Sequence, residues 1–96
     1  ANKDAMINDM NNIGANAYQY RIRTKETGGG GGSYLGYRID DKLSQNENGR
    51  YRIIASNDSV LIIEGKSMNS EYSKIRIKLD LLGRLKDFKY YGAFND

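Results

Sequence analysis

The chain has no cysteine and no histidine. Those absences exclude disulfide staples, thiolate and imidazole nucleophiles, and the usual zinc and haem ligands. They leave the compartment open, because a reducing cytosol permits them and a secreted domain can do without disulfides if its core suffices. No apolar run approaches the roughly 18 residues that span a bilayer. No serine sits in a recognisable nucleophile elbow. Of the twelve carboxylates, the only adjacent pair is Asp40 with Asp41, and no third group lies near it in sequence to complete a site. A non-enzymatic role is therefore expected, with no catalytic residue, cofactor or metal. At 96 residues there is room for one domain, which at this size buries about 60 to 65% of its unfolded surface. The net charge of +3 and pI near 9.2 favour anionic partners without requiring one.

What is present begins with a helix. Met6, Met10, Ile13, Ala17 and Tyr20 recur at steps of four, three, four and three, which keeps them on one face and predicts a helix over residues 4–23 whose stripe packs on a sheet. Asp4 and Asp9 near its start and Arg21, Arg23 and Lys25 near its end suit the helix dipole. Ile7, Gly14 and Tyr18 flank the stripe, so the apolar arc is wider than one small sheet needs. Opposite lie Asn8, Asn11, Asn12, Asn16 and Gln19, a neutral amide face with few supporting ion pairs. Gly14 costs about 1 kcal/mol against alanine in a helix interior, which implies either a weak point or the close approach of another backbone.

Five glycines, Gly28 to Gly32, break the pattern. Glycine backbones can turn N–H groups toward a phosphate, but phosphate loops lead from a strand into a helix N-terminus. These follow a helix, face its negative end and are not succeeded by Gly-Lys-Ser/Thr, so a connector is expected, ordered or mobile. Tyr34 to Ile39 reads as a short extended piece, Asp40 to Gln45 as a turn of helix, and Asn46 to Gly49 as a turn. Strands are then predicted over Arg50 to Ser56 and Ser59 to Lys66, joined at Asn57 and Asp58. A third, Tyr72 to Asp80, sets Ile75, Ile77 and Leu79 against Lys74, Arg76 and Lys78. The last, Lys86 to Tyr91, puts Phe88 and Tyr90 in phase with Lys86, which a bulge near Gly83 would reconcile.

The fold class expected is α+β: an N-terminal amphipathic helix (1–25), a glycine-rich connecting loop (26–49) and a three- to four-stranded antiparallel β-meander (50–91), in one domain. The Lys74, Arg76, Lys78 face, extended by Arg50, Arg52, Arg84 and Lys86, suits a nucleic acid or other polyanion, with Tyr72 as the candidate for stacking. A charged solvent face that keeps an edge strand soluble is the better account of the same pattern.

The segments DAMINDMNNIGANAYQYRIR, TGGGGGSYLGYRI and NENGRYRI, within residues 2–55, resemble small bacterial proteins of the type IV pilin and pseudopilin class. The most specific part is the helix followed by the glycine run and by Tyr34, Gly36 and Tyr37. The resemblance implies a non-enzymatic structural subunit of a pilus-like filament or secretion pseudopilus, whose partners are copies of itself or related subunits. It also implies a membrane-spanning helix upstream of Ala1, continuous with the amphipathic one, and a place in the bacterial cell envelope, anchored in the inner membrane before assembly. A start at Ala1 without methionine, almost directly in helical pattern, fits that expectation. On this reading Met6, Met10, Ile13, Ala17 and Tyr20 take the subunit's own sheet, and Ile7, Gly14 and Tyr18 are candidates for subunit contact. The C-terminal disulfide loop of many pilins has no counterpart in a chain without cysteine.

Overall fold

The computed structural model describes residues 2–70 and 72–95. It is an α+β arrangement with helix α1 (Asn2–Ile22) laid on a four-stranded sheet of β1 (Gly49–Ser56), β2 (Leu61–Ser67), β3 (Lys74–Leu79) and β4 (Leu85–Tyr91). The strands follow one another in the order β1-β2-β3-β4, all antiparallel. Short turns account for this order. Asn57 Oδ1 accepts from the Ser59 and Val60 N–H groups at 2.9 and 2.8 Å, and Asp80 Oδ1 accepts from the Leu82 and Arg84 N–H groups, both at 2.9 Å. Side chains that complete a turn locally leave only a hairpin between the flanking strands. Among the described residues no helix is long and apolar enough to cross a membrane.

One face of the sheet is the core. Met6, Met10, Ile13 and Ala17 of α1 are fully buried against Leu61, Ile63, Ile75, Ile77 and Leu79. Polar bolts fix the N-terminal half of the helix at the β1 end. Asp9 Oδ2 accepts from Tyr51 Oη at 2.5 Å, Asn46 Nδ2 at 2.9 Å and Asn48 Nδ2 at 3.2 Å. Burial pushes the Tyr51 hydroxyl well above its usual range, and the bond to Asp9 adds to it. Asn2 bridges the turn before β1 and the end of β2, donating to the Asn48 carbonyl and accepting from Ser67 Oγ. Among the described residues no buried side-chain polar atom lacks a hydrogen-bond partner, as a well-specified core requires.

The connector is ordered and is part of the core. After α1 a 3-10 turn (Lys25–Thr27) leads into the glycines, whose N–H groups close the helix end. Gly30 donates to the Tyr20 carbonyl at 2.8 Å, Gly31 to Arg23 at 2.8 Å and Gly32 to Arg21 at 2.6 Å. Helix carbonyls without intrahelical partners are thus satisfied by the run that ends the helix. A side chain at Gly30 would collide with the Ser33 carbonyl and the Tyr20 ring, and Gly31 has φ 61°, so glycine is required there. The extended piece expected over Tyr34 to Ile39 is instead a tight turn closed by the Tyr37 N–H on the Tyr34 carbonyl at 3.0 Å. It delivers both tyrosines inward. Tyr34 is fully buried with its Oη on the Asp80 carbonyl at 2.5 Å, and Tyr37 is buried with its Oη on Asn16 Oδ1 at 2.7 Å. Helix α2 (Asp41–Ser44), capped by Asp40, follows.

Two expectations about the helix change here. Tyr20 does not take the sheet: it is half-buried, donates to the Leu35 carbonyl at 2.7 Å and stacks obliquely on Tyr37, because the connector crosses this end of α1. Ile7, Gly14 and Tyr18 all have neighbours within the chain. Ile7 packs against the core cluster, Gly14 is buried beneath Leu85 and Leu79, and Tyr18 lies on Gly83. The reason is sheet width, since β4 and the β3–β4 turn extend under that flank. The nearest atoms to Gly14 belong to leucine side chains, Leu85 lying 3.2 Å and Leu79 3.6 Å from where a Cβ would stand.

Candidate functional site

Strand alternation turns the other face of the sheet outward, and the pairing registers set its side chains in rows. The first row runs Arg50, Lys66, Lys74, Tyr91; the second Arg52, Glu64, Arg76, Lys89; the third Ile62, Lys78, Lys86. Three sequence-predicted residues, Lys74, Arg76 and Lys78, are therefore together on β3 and half-exposed. Arg50, Arg52 and Lys86 join them, whereas Arg84 lies in the turn before β4.

Glu64 organises the middle row. Its side chain is 1% exposed although it sits on the outward face, covered by the two arginines that it binds. Arg76 Nε donates to Oε2 at 2.8 Å, and Arg52 donates to Oε1 from Nε at 3.1 Å and from Nη2 at 3.0 Å. Burial pushes the Glu64 carboxyl up, but the hydrogen bonds from Arg76 and Arg52 outweigh it and hold it below the usual carboxylate range. The same bond raises the Arg76 guanidinium further. Charge-assisted bonds of this kind fix both arginines in place.

Along the first row Lys74 Nζ and Arg76 Cζ lie 5.5 and 5.4 Å from the centroid of the Tyr91 ring, within cation–π range. At the far edge Lys86 Nζ reaches Asp80 Oδ2 at 3.1 Å. Hydrogen bonds from the Arg84 N–H, and then from Lys86 and the Leu82 N–H, hold the Asp80 carboxyl below its usual range against its burial.

The phase problem in β4 is resolved at Asp87, with φ 55°, where the pairing with β3 slips between Arg76 and Lys78. The expected bulge near Gly83 is thus four residues further on, and Gly83 belongs to the tight turn that Asp80 closes. The bulge returns Tyr90 to the helix side and Lys89 to the outward side. It also opens a shallow hollow of about 290 Å³ between Ile54, Ile62, Arg76, Lys78, Asp87 and Lys89. Tyr72, expected to stack, is 80% exposed just before β3. Lys66, Lys89, Tyr91 and Glu64 were not legible as members of this face; the register of the β1–β2 hairpin would have placed Lys66 and Glu64, but the bulge conceals Lys89 and Tyr91.

The face is a preorganised array of cations around a neutralised centre, suited to electrostatic capture of anions. No protein-family model matches the chain, and no curated protein or solved structure matches it significantly.

Proposed function

We propose that the chain is the globular part of a pilin-like structural subunit, which assembles with copies of itself or related subunits at the bacterial cell envelope. In this reading α1 continues upstream of Ala1 into an inner-membrane anchor, and the domain performs no catalysis. The observation that carries it is the side of α1 turned away from the sheet. Asn8, Asn11, Asn12, Ala15, Asn16 and Gln19 are exposed over about three turns with no charged side chain among them. A surface helix normally carries charges there. Amides and a small residue are far cheaper to bury than ions and can hydrogen-bond across a helix–helix contact. The placement of Ile7, Gly14 and Tyr18 within the chain moves the proposed contact from that flank to this amide face.

The test uses the full-length gene product in its own host. Asn12→Cys and Asn16→Cys, made separately, each place a thiol on this face of a domain that has no cysteine of its own, and the unsubstituted product is the control. Disulfide-linked dimers in the membrane or sheared-filament fraction are the expected result. A product found only as a free monomer, with neither thiol cross-linking, would end this reading.

A further inference from the structure

We propose that the outward face of the sheet binds the phosphodiester backbone of nucleic acid without reading its sequence. This goes beyond the structural role above and does not depend on it.

Four cross-strand pairs on this face set like charges opposite one another. Arg50 lies directly opposite Lys66, Lys66 opposite Lys74, Arg76 opposite Lys89 and Lys78 opposite Lys86. Like charges at directly opposed cross-strand positions are destabilising. A face kept merely soluble would intersperse both signs. The segregation extends to the whole molecule. This face holds eight of the fifteen cationic side chains and, counting Glu64, Asp87 and the Asp80 that pairs with Lys86, three of the twelve acidic ones, a local charge of +5 that leaves −2 for the remainder. The acid at its centre offers no charge outward, since Glu64 is buried and bridged on both oxygens.

The ligand class follows from what the array contains. Protein interfaces deplete lysine at their cores, yet five of these eight cations are lysines. A linear phosphate chain instead rewards repeated point charges, and cation rows recur here about every 6.7 Å along the strands. Tyr91, flanked by Lys74 and Arg76, and the exposed Tyr72 provide rings on which unpaired bases can stack. The described side chains of this face stand on strands in regular rows, an arrangement that tracks a phosphate backbone rather than base edges.

The test is fluorescence anisotropy of the 96-residue chain with labelled mixed-sequence DNA, single- and double-stranded. If about four phosphates are neutralised, affinity falls roughly fifty- to hundred-and-fiftyfold between about 50 and 200 mM salt. The combined variant Lys66→Glu, Lys78→Glu, Lys89→Glu is expected to lose at least about tenfold in affinity. A control with the same charge change in the connector, Lys25→Glu, Arg38→Glu, Lys42→Glu, is expected to lose less than about threefold. Circular dichroism checks the fold; if charge reversal unfolds the chain, the Lys→Gln triple must preserve the ordering. Absence of binding at low salt, equal losses in the two variants, or displacement of DNA by polyglutamate at equal charge would each overturn the proposal. Because binding by the outward sheet face does not involve the amide face of α1, such a failure leaves the helix-mediated assembly untouched.

Discussion

The two faces of this sheet come from the same four strands and obey opposite rules. Beneath α1, apolar side chains interlock at near-zero exposure and every described polar atom among them is satisfied. On the outward face, four directly opposed pairs set like charges against each other, and Glu64 and, at the edge, Asp80 offset part of that repulsion. The inner face therefore carries most of the stability, and the opposed cations outside work against part of it.

That contrast can be broken first on the inside. Replacing the fully buried Ile75 by alanine is expected to cost about 2–5 kcal/mol in chemical denaturation. A loss below about 1 kcal/mol would mean the helix-facing layer is looser than its burial implies. Alkali attacks the same side. Burial pushes the Tyr34 and Tyr37 hydroxyls up to about 12 from 10.0. Their contribution is complete below pH 10.0, where tyrosine is neutral in both states, and is lost as pH rises toward about 12. Tyrosinate absorbance and helical signal should change together in one cooperative alkaline transition.

Outside, the most connected stabilising group among the described residues is Glu64, which binds two arginines. Glu64→Gln is expected to cost about 1–2 kcal/mol, less than a fully buried pair because both arginines remain in contact with water. Its folded pKa is depressed, so its contribution is present above the unfolded value of 4.5 and lost as pH falls through the lower folded value. Acid titration of the denaturation midpoint should be shallower in the variant. The smallest effect has the opposite sign: Lys78→Thr relieves repulsion with Lys86 and should stabilise the domain by about 0.2–1 kcal/mol, a gain that added salt shrinks. An unchanged or lower midpoint would remove repulsion as the defining property of that face.

How much of this was legible in the sequence depended on whether side chains or backbone carried the signal. The four-three spacing of α1 and the alternation of β3 are side-chain periodicities, and both elements formed close to their expected bounds. So did the hairpin at Asn57 and Asp58, where the turn chemistry is local. The burial of Glu64 was hidden, because alternation assigns it outward and only register reveals the arginines on either side. Asp87 defeats alternation outright, since one residue in a left-handed conformation inverts the phase of all that follow. The intrachain neighbours of Ile7, Gly14 and Tyr18 were not legible, because periodicity along a helix carries no measure of how wide its sheet is.

The glycine run ends as something other than a spacer. Gly30, Gly31 and Gly32 each meet a different carbonyl at the end of α1, those of Tyr20, Arg23 just past the helix, and Arg21, which makes the tract a component of fixed length. Removing or adding one residue would misalign every donor after the change and pull Tyr34, immediately downstream, from its place in the core. A stretch that looks free to drift in length is held to a count by partners that have no side chains to betray them.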